Sequence, residues 1–147
     1  RPMFNRATMG LYPPGSTFKP ASAVAALESG VITTSTRIRD LGVYKYYDLN
    51  LKCWIYPGNH GRVNVTDAIK VSCNYFFYEV GKLTGIATLE RYARAFGLGE
   101  PTGIEIPENV GTMTSPEYVN SLENQRWTDG LTLQAAIGHH NFYTDKD

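Results

Sequence analysis

The stretch YPPGSTFKP, residues 12–20, places a serine and a lysine three positions apart. In a helix, residues at this spacing share a face, so the hydroxyl of Ser16 and the ammonium group of Lys19 can meet. Serine is a weak nucleophile near pH 7 unless a base takes its proton. Lysine can be that base only where burial or nearby charge lowers its pKa. The spacing therefore predicts nucleophilic catalysis by Ser16 on the condition that Lys19 is buried.

The surroundings of this pair strengthen an otherwise weak signal. A Ser-x-x-Lys match is expected by chance about once in every two or three chains of this length. Here, however, two prolines and a glycine precede the serine, and Pro20 suits the first turn of a helix. Ser16 is thus predicted at a helix start, where backbone amides and the helix dipole favour developing negative charge. The alternative is that both residues merely begin a helix.

A second motif, SCN at residues 72–74, lies between two predicted helices. A serine in such a loop can relay a proton to a leaving amine, and an amide two residues later can hold a substrate carbonyl. On these residues alone, capping of the next helix explains Ser72 and Asn74 better.

The elements that must position these residues are mostly helices. Apolar periodicity, caps and glycines predict helices in STFKPASAVAALESG, in VNVTDAIKVSCN from about Thr66 to Ser72, and in YFFYEVGKLTG, TLERYARAFGLG, SPEYVNSLENQRW and LTLQAAIG. Alternation in LNLKCWI predicts a strand, paired in a short hairpin with VYKYY.

Composition limits the classes of function. The chain has 147 residues, enough for one domain with one core. Fourteen basic and fourteen acidic residues give zero net charge without long runs of one sign, which argues against a nucleic-acid partner. The longest apolar stretches are much shorter than the roughly twenty residues of a membrane-spanning helix.

Five residues have side chains that zinc accepts as ligands: Cys53, His60, Cys73, His139 and His140. Their spacing matches no short zinc signature, and two cysteines are too few to staple a small fold. We therefore expect buried free thiols and no cofactor, with a zinc site at these residues as the alternative.

Several long motifs together resemble one family. NRATMGLYPPGSTFKP, HGRVNV, VSCNYFFYEVG, GEPTGIEIPEN and GLTLQAAIG occur in the order found in the transpeptidase domain of class B penicillin-binding proteins, which belong to the serine D,D-transpeptidase and β-lactamase-like superfamily. The resemblance covers nearly the whole chain and is far more specific than either triplet alone.

The resemblance implies a role for each site residue. Ser16 would attack the D-Ala-D-Ala carbonyl of a peptidoglycan stem peptide, or a β-lactam carbonyl, and form an acyl-enzyme. Lys19 would activate Ser16, Ser72 would shuttle the proton toward the leaving group, and Asn74 would bind the substrate amide. The backbone amide of Ser16 would be one oxyanion donor.

The implied fold is α+β, an antiparallel sheet flanked by helices with the site between the sheet edge and an all-helical part. The family's Lys-Thr-Gly triplet is absent from this sequence, because a leucine interrupts the KLTG that starts at Lys82. We interpret residues 1–147 as a partial penicillin-binding transpeptidase domain, mostly helical and lacking much of the sheet. The parent is then an enzyme, and the activity of this chain by itself is a separate question.

The resemblance also implies partners and a location. The partners are peptidoglycan stem peptides and β-lactam antibiotics, with other cell-wall synthesis proteins or a second chain supplying the missing strand as further candidates. The location is the extracytoplasmic face of the bacterial inner or plasma membrane, in the cell envelope, with an anchor upstream of these residues.

Two other functions fit parts of the sequence. STFK and ALESGVI are also similar to class D β-lactamases and β-lactam sensors, but those families tend to carry a hydrophobic residue where Asn74 stands. A domain that keeps the fold without catalysis, with or without zinc, is the other alternative. Reactivity at Ser16 separates it from an enzyme.

Overall fold

The structure is a computed structural model that describes residues 3–139 and 142–143. Helices predominate in this part of the chain, which agrees with the predicted mostly helical α+β class. The helices are α1 (Arg6–Met9), a 3₁₀ helix (Gly15–Phe18), α2 (Lys19–Glu28), α3 (Val65–Lys70), α4 (Asn74–Thr84), α5 (Ile86–Ala95), α6 (Pro116–Ser121) and α7 (Asp129–Ala136).

The strands are short and form three antiparallel pairs within the described residues. They are β1 (Ile38–Asp40), β2 (Val43–Tyr46), β3 (Leu49–Lys52), β4 (Gly61–Val63), β5 (Thr112–Met113) and β6 (Phe142–Tyr143). Strands β2 and β3 form the predicted hairpin, with Val43 opposite Lys52. Strand β1 pairs with β4, and β5 pairs with β6. We did not predict these two pairs, because strands of two or three residues are too short to show alternation.

Local sequence explains where several helices begin. The Ser115 side chain accepts a hydrogen bond from the Tyr118 amide and Pro116 follows it, so α6 starts as predicted. Asn64 and Asp67 form a capping box at the start of α3. The helix predicted to start near Ser16 begins as the 3₁₀ helix and continues as α2, in which Pro20 lies in the first turn.

The core lies around α4. Phe76, Phe77 and Val80 on this helix are fully buried, and Leu133 of α7 joins the same cluster. Helix α4 packs against both α2 and α7. The approach of α4 to α7 is very close at Gly81, where a Cβ atom would lie 2.5 Å from the Cβ of Ala136. The start of α2, which carries Lys19, and the start of α4, which carries Asn74, are thereby held beside each other.

Two surface features complete the description. An apolar groove of about 400 Å³ runs beside the 3₁₀ helix; its lining includes Phe18, Ala21, Val24, Phe96 and Leu98. None of the helices in the described ranges combines the length and apolar character that a membrane span requires.

Candidate active site

Ser16 lies in the 3₁₀ helix that leads into α2, and its side chain is exposed to solvent. Gly15 before it has φ of +56°, a left-handed conformation that suits glycine. The Ser16 carbonyl accepts a hydrogen bond from the Lys19 amide. Phe18 is buried and anchors the short helix against the interior. The turn therefore presents Ser16 outward while its far end is packed.

Lys19, the first residue of α2, is buried, with only 2% of its surface exposed. Its Nζ donates hydrogen bonds to the Ser72 carbonyl at 2.9 Å, to Ser72 Oγ at 2.9 Å and to Asn74 Oδ1 at 2.6 Å. It also lies 5.7 Å from the centre of the Phe77 ring. The structure thus joins Lys19 to both residues of the second motif, more than fifty positions along the chain.

Burial changes the acid–base behaviour of Lys19. Loss of solvation lowers the pKa of its ammonium group from 10.5 to about 8, although the nearby thiols of Cys53 and Cys73 act in the opposite direction. The condition set by the sequence, a buried lysine with a lowered pKa, is met. At neutral pH a useful fraction of Lys19 is then the neutral amine that can take a proton.

The contact predicted between Ser16 and Lys19 is not formed. Among the described residues, no hydrogen bond partner is found for the Ser16 hydroxyl. The reason is that a lysine ammonium has three donor hydrogens, and Ser72 and Asn74 accept all three. Ser16 and Lys19 share the helix start as expected, but Lys19 must release one partner before it can contact Ser16.

Ser72 is placed by the way α3 ends. The Ser72 amide bonds to the Ile69 carbonyl and the Cys73 amide to the Ala68 carbonyl, which is the Schellman pattern of a helix C-terminus. This pattern needs a left-handed residue, usually glycine, and Ser72 has φ of +53°. A serine held in this strained conformation is typical of functional sites. Ser72 does not cap the next helix; the side chain of Cys73 does, by accepting from the Phe76 amide.

Asn74 is the first residue of α4, and its orientation follows from its partner. The ammonium form of lysine can only donate, so the atom that faces Lys19 Nζ is the amide oxygen. The NH₂ group of Asn74 is then directed elsewhere and keeps its two donor hydrogens.

The three partners of Lys19 differ in what they can do. The Ser72 carbonyl and Asn74 Oδ1 are acceptors only, whereas the Ser72 hydroxyl can also donate. A neutral Lys19 keeps two N–H groups, enough for the two carbonyl oxygens, and its lone pair can face a hydroxyl. The geometry therefore allows proton exchange between Lys19 and Ser72 without loss of the other contacts.

A second cluster adjoins this site. Its members are one carboxylate, two thiols and one imidazole, whose ligand atoms all lie within 4.8 Å of one another: Asp40, Cys53, His60 and Cys73. Cys73 stands between Ser72 and Asn74, so the cluster and the candidate active site share one segment. Both thiols are buried and free, as expected.

The cluster corrects the ligand set considered from the sequence. Cys53, His60 and Cys73 come together, whereas His139 is not a member and His140 lies outside the described residues. Asp40 was missed. The pairing of β1 with β4 sets Asp40 opposite Gly61 and thereby beside His60, and three-residue strands left no signal from which to predict this.

Hydrogen bonds already link the four members. Asp40 Oδ2 lies 2.7 Å from His60 Nδ1, and the Cys73 thiol donates to the same oxygen at 3.5 Å. His60 Nε2 is buried and has no partner within the described residues. Burial raises the pKa of the Cys73 thiol to about 12. Two sulfurs, one nitrogen and one oxygen at this separation fit the tetrahedral coordination of zinc.

Lys19 is buried and bonds to a second serine and an asparagine, and it lies three residues after an exposed helix-start serine. These are residue types that serine acyl-transfer chemistry uses. The family model of the penicillin binding protein transpeptidase domain matches residues 1–144. The chain belongs to this family. The resemblance found in the sequence motifs is therefore confirmed.

Individual relatives agree with this assignment. The peptidoglycan D,D-transpeptidase MrdA of Acinetobacter baumannii is 36% identical over 97% of this chain, which corresponds to 21% of the relative. The chain thus spans about a fifth of the length of the curated relatives it matches.

Solved structures share the fold. Pseudomonas aeruginosa PBP2, solved in complex with WCK 5153, has a TM-score of 0.90 and 36% identity over 97% of this chain and 33% of its own. Penicillin-binding protein A from M. tuberculosis, solved as a penicillin G acyl-enzyme complex, has a TM-score of 0.79 and 27% identity over 96% of this chain and 31% of its own. The predicted fold, part of a transpeptidase-like α+β domain, is confirmed.

Proposed function

We propose that this chain carries the nucleophile-bearing part of a peptidoglycan D,D-transpeptidase that acts through an acyl-enzyme on Ser16. The observation that carries the proposal is the buried Lys19, whose hydrogen bonds to Ser72 and Asn74 join the two sequence motifs. Capping or packing needs no lysine at this buried position, and desolvating an ammonium group is costly. A role as catalytic base explains why a lysine is buried here despite that cost.

In the acylation step, neutral Lys19 takes the proton of the Ser16 hydroxyl while Ser16 Oγ bonds to the carbonyl carbon of D-Ala-D-Ala or of a β-lactam. The bond from that carbon to nitrogen breaks, and the amine needs one proton. Ser72 donates it and regains it from Lys19, so that Lys19 returns to the neutral state. Asn74 donates from its NH₂ group to a substrate carbonyl, and the Ser16 amide donates to the oxyanion.

Substrate, partners and location follow from the same proposal. The substrate class is the peptidoglycan stem peptide, and β-lactams are inhibitors that mimic it. Such a substrate places the protein on the extracytoplasmic face of the cell envelope, among other cell-wall synthesis proteins. Support comes from the names of the relatives, whose chains are much longer than this one.

The experiment is intact mass spectrometry after incubation with benzylpenicillin. We expect one covalent adduct on the native chain and none on Ser16→Ala. The matched control is Ser35→Ala, which removes an exposed loop hydroxyl and should leave the adduct unchanged. A folded native chain without an adduct would contradict the proposal for this chain and favour a catalytically silent domain.

The lifetime of the adduct separates the enzyme classes. If the site is transpeptidase-like, we expect the adduct to persist for hours. Loss of the adduct within seconds, with release of penicilloic acid, would instead indicate a class D-like β-lactamase.

We further propose that Asp40, Cys53, His60 and Cys73 hold a structural zinc ion. Zinc bound there would replace the thiol protons and tie β1, the segment after β3 and the entry to α4 together. Because Cys73 adjoins Ser72 and Asn74, the metal would stabilise the segment that carries both. Elemental analysis of the purified chain tests this proposal, and a metal content near zero in the folded protein would overturn it.

A further inference from the structure

The backbone before the nucleophile is held by a distant loop. The Gly15 amide donates a hydrogen bond of 3.0 Å to the carbonyl of Gly138, which follows α7. Gly15 directly precedes Ser16, so this bond acts on the peptide group next to the proposed nucleophile. The two residues are more than 120 positions apart, and only tertiary packing brings them together.

Gly138 is placed by the way its own helix ends. Its amide bonds to the Ala135 carbonyl and the His139 amide bonds to the Gln134 carbonyl, a second Schellman motif. Gly138 has φ of +82°, the left-handed conformation that this motif demands. Its amide is therefore used within the motif, while its carbonyl is directed at Gly15.

Space at this contact admits no side chain. A Cβ atom on Gly138 would lie 1.8 Å from the Gly15 carbonyl oxygen and 2.8 Å from its Cα. The atoms it would strike are backbone atoms, which cannot rotate away as a side chain can. Any other residue at 138 must displace either the end of α7 or the Gly15 turn.

The end of α7 is not free to move. Ser22 of α2 donates a hydrogen bond of 2.7 Å to the Ala136 carbonyl, and both residues are buried. Gly81 of α4 lies against the Ala136 side chain from the other direction. With α7 held at two points, a Cβ at position 138 would move the Gly15 turn, and Ser16 with it.

We propose that Gly138 is a positioning residue for the nucleophile: the end of α7 sets the place of Ser16 through backbone contact with Gly15. The proposal rests on the role of Ser16 proposed above. Gly138 has no side chain and its carbonyl accepts from the Gly15 amide, so the effect proposed for it is on geometry alone. A displacement of about 1 Å at a reacting group can lower a rate by roughly a hundredfold.

The variant that tests this is Gly138→Ala, with Gly103→Ala as matched control. Gly103 has the same φ of +82°, but a Cβ added there would have no atom of the described residues within 4 Å, so its substitution adds equal backbone strain without a clash. We expect Gly138→Ala to lower the limiting rate constant of penicillin acylation by about a hundredfold and to leave the half-saturating concentration unchanged. Gly103→Ala should change neither.

A second measurement does not depend on acylation. Hydrogen exchange, followed by NMR, reports the Gly15 amide directly, and Gly138→Ala should speed its exchange by at least about tenfold. Gly103→Ala should leave it as in the native chain. If the native chain forms no adduct, the proposed function fails, and this measurement still decides whether Gly138 holds the turn.

A third variant covers the case in which Gly138→Ala does not fold. Replacing the Gly15 residue by glycolic acid puts an ester oxygen where its N–H was and adds no volume; ligation at Cys53 allows this synthesis. We expect about a tenfold slower acylation, as the loss of one hydrogen bond implies. Native exchange at Gly15 in Gly138→Ala, or native acylation rates in both altered chains, would overturn the proposal.

Discussion

The hydrogen bonds of Lys19 determine how it can act both as a buried cation and as a base. Three donors meet three acceptors, so the ammonium form is fully satisfied although it is buried. Deprotonation costs it one of these contacts, and of these three described partners the Ser72 hydroxyl alone can turn to donate. The residue is thus stable as a cation and usable as a base.

The acylation rate should therefore depend on pH through Lys19. With a pKa of about 8, the neutral fraction rises about tenfold per pH unit well below that value and levels off above it. We expect the second-order rate constant for benzylpenicillin to follow this curve between pH 6 and 9. Lys19→Met should abolish the reaction at every pH, whereas Lys70→Met, which removes an exposed lysine, should not. A flat profile in the native chain would exclude Lys19 as the base.

The same shift links pH to stability. Burial lowers the pKa of Lys19 in the folded chain from the ordinary 10.5 to about 8. Between these values the unfolded chain binds more protons than the folded one, so the contribution of Lys19 to the free energy of unfolding rises with pH there. Below pH 8 both states are protonated and the cost of burying the charge is fully present.

Ser72 carries strain that glycine would relieve. Its φ of +53° costs an L-residue about 1 kcal/mol or more. We expect Ser72→Gly to have a free energy of unfolding about 1 kcal/mol higher than Ser72→Ala, because both lose the hydroxyl but only alanine keeps the strain. Urea denaturation measures the difference. Equal stability of the two variants would show that the turn is not strained at this residue.

At the scale of elements, the close approach of α4 and α7 sets the site. It depends on Gly81, where a Cβ would lie 2.5 Å from that of Ala136. A bulkier residue would separate the two helices, and α4 carries Asn74 at its start. Packing of this pair therefore helps to fix the position of α4, and with it that of Asn74.

Gly81→Ala should lower the free energy of unfolding by about 1–2 kcal/mol, because overpacking outweighs the gain in helix propensity. Gly130→Ala in α7 is the matched control, since its Cβ would come close to the flexible end of Leu49, at 2.6 Å, and would make an ordinary contact with Thr128 Oγ1 at 3.7 Å. That variant should be within about 1 kcal/mol of the native chain.

The double variant Gly81→Ala with Ala136→Gly identifies the contact responsible. It should recover part of the lost stability, since the clashing partner is removed. Additive losses in the double variant would place the cause elsewhere.

For the whole molecule, the zinc proposal predicts that stability depends on metal. Removal of zinc by a chelator should lower the melting temperature by several degrees, and Cys53→Ser should weaken metal binding while leaving Ser16 in place. Calorimetry with and without added zinc measures the effect. A melting temperature unaffected by chelator would contradict a structural metal, and Ser35→Ala serves as the control variant.

Much of the molecule followed from local pattern. Helices α4, α5 and α6 agree with the predictions from apolar periodicity. The hairpin of β2 and β3 agrees with the prediction from the alternation of residues in the second of these strands. The pairing of β1 with β4 did not follow from local pattern, because a strand of three residues is too short to show a periodic alternation. For the same reason, Asp40 could not be predicted as a member of the candidate metal site.

The order and spacing of the sequence motifs determined the family, the candidate nucleophile and its candidate base, because each motif lies within one continuous stretch of the chain. Tertiary structure alone decided that Lys19 is buried, that it bonds to Ser72 and Asn74 rather than to Ser16, and that Gly138 holds Gly15. Burial and long-range hydrogen bonds arise from the packing of α2, α4 and α7. Local sequence specifies each helix, but the distances between them depend on contacts such as that of Gly81 with Ala136, which no single segment contains.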